Sequence, residues 1–209
     1  VVLDAAGLSG YDLVQASVSH ALQVSADIER LQTNDTAGTA AINLTGSNTA
    51  NSIAGNAGNN VLRGRAGADT LEGGLGNDTL WGNQGANDLR GGAGQDRFVF
   101  DAPLAGSGSG IQRVLGFTAT DDTIALWTGV YLDPDPTTNP TPLAPTAFVL
   151  GAAATTAAHR VIYEGATGKL FYDADGVGGA AKVQIGLLLN GLGTSPAAGV
   201  TAADFIFVG

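Results

Sequence analysis

Asn51, Asn60, Asp69, Asp78, Asn87 and Asp96 stand nine residues apart, each with a glycine five residues before it and one large apolar side chain two residues after it. Short carboxylates and amides on a fixed beat among glycines are oxygen ligands, and a stack of them without a counter-charge would set acceptor against acceptor. A hard cation reverses the sign of that interaction. Ca²⁺ takes six to eight oxygens from carboxylates and backbone carbonyls, which two stacked acidic turns offer. Mg²⁺ fits less well, because its smaller shell demands near-octahedral geometry and retains water. Metal binding would then be part of the folding free energy itself.

Other chemistry has little support in the residue types. There is no cysteine, which removes disulfides and thiolate metal sites. His20 and His159 are far apart in sequence, and no H-E-x-x-H pattern occurs. No histidine stands at motif spacing from a serine or carboxylate, so nucleophilic catalysis is not expected. "GATGK" at 165–169 lacks the spacing and the Ser/Thr of a phosphate-binding loop and reads as a turn. Asp173 and Asp175 in "DADG" resemble the start of an EF-hand loop whose remaining ligands are missing, so a hairpin turn with solvated carboxylates is the expected reading. Asp121–Asp122 ranks lower as a ligand pair. Trp81 is expected on an outward face.

The elements that must position the acidic residues follow from the period. Leu44, Ile53, Leu62, Leu71, Leu80, Leu89 and Phe98 recur every nine residues, a spacing that belongs to neither a helix nor a simple strand. Aligned on it, 46–54, 55–63, 64–72, 73–81, 82–90 and 91–99 all begin with Gly, and five of the six carry Gly at position four. Each unit reads as a six-residue turn and a three-residue strand whose eighth position points inward. Two units make one coil of eighteen residues, and the coils stack as a parallel two-sheet solenoid. Turns two units apart then lie directly above one another.

Composition agrees with a turn-rich β protein. Sixteen of the 19 acidic residues are Asp, a turn former, and Gly accounts for 32 of 209 residues. The 44% hydrophobic content, arranged periodically, argues against disorder. A formal charge of −10 weighs against nucleic-acid or anionic-membrane partners, and no apolar run approaches a membrane span. The opening "VVLDAAGLSGYDLVQ" carries neither Met nor a signal-peptide pattern, so a piece of a longer protein is expected.

The pattern G-G-x-G-x-D-x-(large apolar)-x, met best by GGLGNDTLW and GGAGQDRFV, resembles the RTX calcium-binding nonapeptide. The resemblance implies the C-terminal region of a bacterial type I secretion substrate, secreted and extracellular or at the cell surface. It implies an all-β fold, a parallel β-roll (two-sheet solenoid) followed by a C-terminal β-sandwich-like cap. It also implies Ca²⁺ between turns two units apart, held by carbonyls of positions one and three plus the acidic residue of one turn and positions two and four plus the acidic residue of the next. Carried over, one site joins Gly73, Leu75 and Asp78 to Gly92, Gly94 and Asp96. A second joins Gly55, Ala57 and Asn60 to Gly74, Gly76 and Asp78. A third joins Gly64, Ala66 and Asp69 to Asn83, Gly85 and Asn87. Asn60 and Asn87 stand where Asp is expected, so the second and third sites should be weaker.

The expected organisation is metal-poor leading coils over 1–45, the calcium-binding roll over 46–101, a Gly/Ser linker over 102–110 and the cap over 111–209. Within the cap, "VIYEGATGKLFYDADG" reads as a hairpin and the proline-rich 133–145 as a projecting loop. Asp204 followed by Phe205, Ile206, Phe207 and Val208 resembles the uncleaved export signal of such substrates, which makes the type I secretion apparatus the expected partner. A non-catalytic, calcium-dependent folding and export module is the leading expectation. The alternatives are the C-terminal part of a calcium-assembled surface-layer protein or adhesin, self-associating with calcium, or the tail of a secreted enzyme whose catalytic domain lies elsewhere.

Overall fold

A computed structural model describes residues 2–3, 12–104, 110–131 and 140–209. Part of the linker, part of the proline-rich loop and most of the opening segment therefore lie outside the described residues. In chain order the first strands are β1 (Val2–Leu3), β2 (Leu13–Ala16), β3 (His20–Ala21), β4 (Arg30–Thr33), β5 (Leu44–Thr45), β6 (Ser52–Ala54) and β7 (Val61–Arg63). Next come β8 (Thr70–Leu75), β9 (Thr79–Trp81), β10 (Asp88–Ala93), β11 (Arg97–Phe100), β12 (Gln112–Leu115) and β13 (Thr123–Trp127). The last are β14 (Thr141–Pro142), β15 (Phe148–Leu150), β16 (Val161–Glu164), β17 (Lys169–Tyr172), β18 (Val183–Leu189) and β19 (Phe205–Val208). No α-helix occurs among the described residues, and none is long and apolar enough to cross a membrane.

From β2 to β13 the chain alternates between two sheets, ordered β1-β2-β4-β6-β8-β10-β12-β18-β17-β16-β15 and β14-β19-β13-β11-β9-β7-β5-β3. This is the parallel β-roll. Within the array the register is eighteen residues: Ile53 pairs with Leu71 and Leu71 with Leu89, while Leu62 pairs with Leu80 and Leu80 with Phe98. All seven residues of the apolar beat are buried to within 1% and belong to one continuous core. Each short strand sends one such side chain inward, which is all a three-residue strand can contribute.

β8 and β10 run six residues rather than three, because Gly74 and Leu75 stay in register with Gly92 and Ala93. The first half of these turns thus extends the ladder instead of leaving it. Beyond the array both sheets continue: β12 pairs with β10, β18 with β12, β13 with β11 and β19 with β13, all parallel. β16, β17 and β18 complete the C-terminal region as an antiparallel meander, with the β16–β17 hairpin closed at Gly168 in the left-handed region. β19 is an interior strand flanked by β13 and β14, with Phe205 and Phe207 fully buried.

Trp81 does face outward, yet it is not isolated. Its ring meets that of Trp127 edge-on at 5.7 Å, and the Arg63 guanidinium lies 5.4 Å from its centroid. Val99, in register with Trp81 on one side and Ala125 on the other, is 1% exposed although it is on the same outer face. An aromatic pair therefore ties the array to the strand that follows it.

Candidate metal centre

The turns form two rims. One carries 55–60, 73–78 and 91–96 and ends at 117–122; the other carries 46–51, 64–69 and 82–87 and ends at Gln112. Along each rim the position-six side chains make a ladder. Oδ1 of Asp78 accepts the main-chain N–H of Asn60 at 2.7 Å, and Oδ1 of Asp96 that of Asp78 at 2.9 Å. On the other rim Oδ1 of Asp69 accepts from Asn51 and Oδ1 of Asn87 from Asp69, both at 2.8 Å. All of these residues are buried.

The second carboxylate oxygens have nothing. Oδ2 of Asp69, Asp78 and Asp96 is buried without a hydrogen-bond partner. An ionised oxygen in that state is strongly unfavourable. Burial accordingly raises the Asp69 and Asp78 carboxyls from 3.8 to about 7, against the N–H groups of Asn51 and Asn60 that favour the charged form, and the Asp96 charge adds to the rise at Asp78. Asp96 is raised for the same leading reason. Asp101 and Asp175 each leave one oxygen unpartnered too, with their other oxygens accepting from the Asn83 side chain and the Ala180 main chain, but neither stands at position six of a turn.

Glycine does two different jobs here. At positions two and four of the turns 64–69, 73–78, 82–87 and 91–96 the backbone has positive φ, as in Gly74 (117°) and Gly76 (101°), with Arg65 and Asn83 adopting it at position two without glycine. At position one the need is space. A Cβ on Gly73 would meet Asp78 Oδ2 and lie 2.5 Å from the Gly91 carbonyl oxygen. Those two oxygens converge over the bare Cα of Gly73.

Direction of the carbonyls follows from the same contacts. The oxygens of Gly74 and Gly76 press forward on Gly92 and Gly94, while those of Gly91 and Gly73 press back on Gly73 and Gly55. Ala93 also faces back, its oxygen accepting the Gly76 N–H at 2.9 Å. The gap between 73–78 and 91–96 is therefore faced by carbonyls of Gly74, Gly76, Gly91 and Ala93, by Asp78 Oδ2 and by Asp96 Oδ1. That is six oxygens, enough for a calcium shell.

The expected carbonyl pairing thus runs in the opposite sense. Positions two and four of the earlier turn meet positions one and three of the later one, because positive φ at two and four turns those peptides over. Gly73 and Leu75 face the preceding turn, Leu75 giving its N–H to the Asn56 oxygen, and Gly92 and Gly94 belong to the following gap. Asp78 and Asp96 are brought together as expected. The gap between 64–69 and 82–87 is built alike: Gly67 presses forward on Gly85, Gly82 presses back on Gly64, and Asp69 and Asn87 supply the side chains. In this gap Gly64, Ala66, Asn83 and Gly85 differ from their expected roles in the same way; Ala66 bridges Gln84, and the Gln84 N–H takes the Arg65 carbonyl.

The turn 55–60 is different. Neither Asn56 nor Gly58 has positive φ. Asn60 Oδ1 accepts the Asn56 N–H and Asn60 Nδ2 donates to Asn56 Oδ1, both at 2.9 Å, while Ala57 gives its N–H to Gly38. This turn satisfies itself, and Asn60 leaves no orphaned oxygen. Asparagine therefore does more than remove a charge, since its amide also supplies the donor that closes the turn.

Residues that sequence reasoning passed over close the rims. Gln112, 2% exposed, stands in register behind Asn87 and donates its amide to the carbonyls of Asn83, Gly85 and Gly110 at 3.1–3.4 Å. At the other end Arg65 donates to the Leu22 and Gly46 carbonyls at 2.8 Å. Asp173 lies in a local turn as expected, its Oδ1 accepting the N–H groups of Asp175 and Gly176, but at 5% exposure it is buried rather than solvated.

No group of three or more His, Asp or Glu that could hold a metal gathers among the described residues, so any cation site here depends on backbone carbonyls. Residues 45–80 and 64–98 match the family model of the RTX calcium-binding nonapeptide repeat, in four copies. No curated protein and no solved structure matches the chain. With its glycine turns, ladder of position-six side chains and orphaned carboxylate oxygens, the stretch 45–98 belongs to the RTX calcium-binding nonapeptide repeats, and Ca²⁺ is the ion such repeats bind.

Proposed function

We propose that this chain is the calcium-dependent folding and export module of a protein secreted by a bacterial type I system, and that it is non-catalytic. The observation that carries the reading is the set of buried, unpartnered Oδ2 atoms at Asp69 and Asp78, each within a gap lined by further oxygens. Calcium there would supply the positive charge that the protein withholds. Gly74, Gly76, Asp78, Gly91, Ala93 and Asp96 would hold one ion; Asp69, Asn87 and the carbonyls of their turns would hold another. Without calcium, the desolvated carboxylates of Asp69, Asp78 and Asp96 oppose the fold, so the roll stays open where calcium is scarce and closes at the roughly millimolar levels outside cells.

The placement of β19 supports the export half of the reading. Asp204 and the four residues after it resemble an export signal; in the folded chain Phe205–Val208 form an interior strand, and Asp204 caps the short 3-10 turn before it, its Oδ2 accepting the Thr201 N–H at 2.6 Å. A receptor could read this segment only before the roll closes. Unfolded transport and calcium-driven closure outside are thus two halves of one scheme. The histidines fit a non-catalytic module: His159 Nδ1 accepts the Thr155 main-chain N–H, and His20 is a strand residue in register with Leu44.

Circular dichroism during a calcium titration tests the folding half, with β signal appearing on calcium addition and vanishing with chelator. A complete β signal in chelator would sink it. Export is tested by removing residues 204–209 from the reading frame and measuring secretion by a type I apparatus, where undiminished secretion would count against the signal.

A further inference from the structure

The third orphaned oxygen, Asp96 Oδ2, has no place in the gaps between nonapeptide turns. Asp78 Oδ2 belongs to the gap on its C-terminal side, where the Gly91 carbonyl comes back over Gly73. By the same relation Asp96 Oδ2, lying over Gly91, belongs to the gap between 91–96 and 117–122. The later turn, "FTATDD", carries none of the glycine code and lies outside the matched repeats. Nonetheless Asp122 Oδ1 accepts the Asp96 main-chain N–H at 3.1 Å, and the Thr123 N–H takes the Asp96 carbonyl at 2.8 Å. Asp122 stands to Asp96 as Asp96 stands to Asp78, although 26 residues rather than 18 separate them.

We propose that this gap is a further calcium site, closing the first rim with Asp96 Oδ2, the forward carbonyls of Gly92 and Gly94, and the Asp122 carboxylate from outside the repeat array. Gly92 and Gly94 have the positive φ (111° and 134°) that turns the carbonyls of Gly74 and Gly76 forward one coil earlier. Asp96 is 2% exposed and Asp122 7%, so water relieves neither charge; the Asp122 oxygens accept main-chain N–H groups, Oδ1 from Asp96 and Oδ2 from Thr118 at 2.9 Å, while Asp96 Oδ2 has no partner. The opposite rim shows what the fold does when no ion is needed at this level: Gln112 inserts an amide that, together with the Asn87 amide, satisfies the Asn83 and Gly85 carbonyls. No such donor reaches Asp96 Oδ2. A bound ion here would join the last repeat to β13, so that calcium fastens the C-terminal region onto the array.

This site rests on the calcium reading above, and the test separates the two. Calcium stoichiometry of the whole chain is measured by isothermal titration for the wild type, Asp122→Asn and Asp69→Asn. Asp122→Asn should lose one bound calcium per chain, or weaken one at least tenfold, with the site at Asp69 unchanged; Asp69→Asn should lose a different one. Wild-type stoichiometry and affinities in Asp122→Asn would overturn this site alone, whereas a wild type that binds no calcium would overturn the calcium reading and this site with it. Crystals of the wild type grown with calcium give a measurement independent of any variant's folding. An anomalous peak about 2.3–2.6 Å from Asp96 Oδ2, on the side of Asp122, is expected. Its absence beside an occupied gap between Asp78 and Asp96 would overturn the proposal.

Discussion

The main-chain N–H of Asp78 donates to Oδ1 of Asp96 at 2.9 Å, while the Oδ2 atoms of both residues are buried without a partner. One carboxylate thus does two things: its first oxygen holds adjacent coils in register, and its second creates a need for a cation. Asp78→Asn separates the two. The amide oxygen can keep the ladder bond, and the desolvated charge is gone. With calcium present the variant should need roughly tenfold more calcium or more to fold, because a charged ligand is lost. In chelator it should be more stable than the wild type. Thermal melts with and without calcium read both signs, and a variant weakened equally in both conditions would contradict this division of labour.

Gly73 and Gly179 offer a contrast in what a methyl group does. A Cβ on Gly73 enters the space shared by Asp78 Oδ2 and the Gly91 carbonyl, whereas one on Gly179 meets nothing within 4 Å. Gly73→Ala should cost about 1–3 kcal/mol through overpacking and weaken calcium binding with it. Gly179→Ala should leave both unchanged within a few tenths of a kcal/mol. Equal effects in the two variants would show that conformational freedom, rather than space, is what position one requires.

Much of this was legible from the nine-residue beat. The beat by itself yields the buried stripe from Leu44 to Phe98, the eighteen-residue register and the pairing of Asp78 with Asp96. The direction of the carbonyls was not legible, because it depends on the sign of φ at positions such as Gly74 and Gly76, which one-letter spacing does not encode. Nor was the self-closure of Asn56 with Asn60 legible, since an asparagine at position six reads as a weak ligand until its amide is seen donating. Asp122 and Gln112 were hidden for a different reason. They take up position-six places after an insertion has broken the period, and only stacking in space restores their phase.

Acid should act on the metal-free and calcium-bound forms in opposite directions. Burial raises Asp69 and Asp78 to about 7 and Asp122 to about 6. The folded metal-free chain therefore holds more protons than the unfolded chain between about pH 4 and 7, so its stability falls as pH rises through that window. Calcium requires the ionised carboxylates, so calcium binding strengthens over the same range and releases protons. Melts in chelator should show a higher midpoint at pH 5 than at pH 7.5, while calcium titrations should show a weaker midpoint at pH 5. Midpoints in chelator that rise with pH would contradict the burial of these charges.

The Trp81–Trp127 contact couples β9 to β13 across β11, at the junction between the array and the C-terminal strands. An edge-on aromatic pair contributes about 0.5–1.5 kcal/mol beyond the area it buries. A double-mutant cycle with Trp81→Leu and Trp127→Leu should return a coupling energy of that size, measured in the calcium-bound form. Strict additivity of the two substitutions would mean that the rings only touch.

Gln112 provides the most direct exchange between a side chain and an ion. Its amide donates to the carbonyls of Asn83, Gly85 and Gly110, and its Oε1 accepts the Asn87 amide at 3.1 Å. Gln112→Leu removes those donors and leaves the Asn83 and Gly85 carbonyls only the longer contacts of the Asn87 amide, at 3.5 and 3.3 Å, a loss of about 1–3 kcal/mol that calcium cannot repair. Gln112→Asp loses the same donors but places a carboxylate at the position-six register behind Asn87, where carbonyls already point. It should be destabilised in chelator and regain stability in millimolar calcium, with one more ion bound per chain than in the wild type. The two variants differ only in whether an oxygen is offered in place of the amide, so calcium rescue of Asp but not Leu would identify the amide as the cation's substitute. Rescue of neither would mean that the carbonyls of Asn83 and Gly85 are too far apart to share an ion.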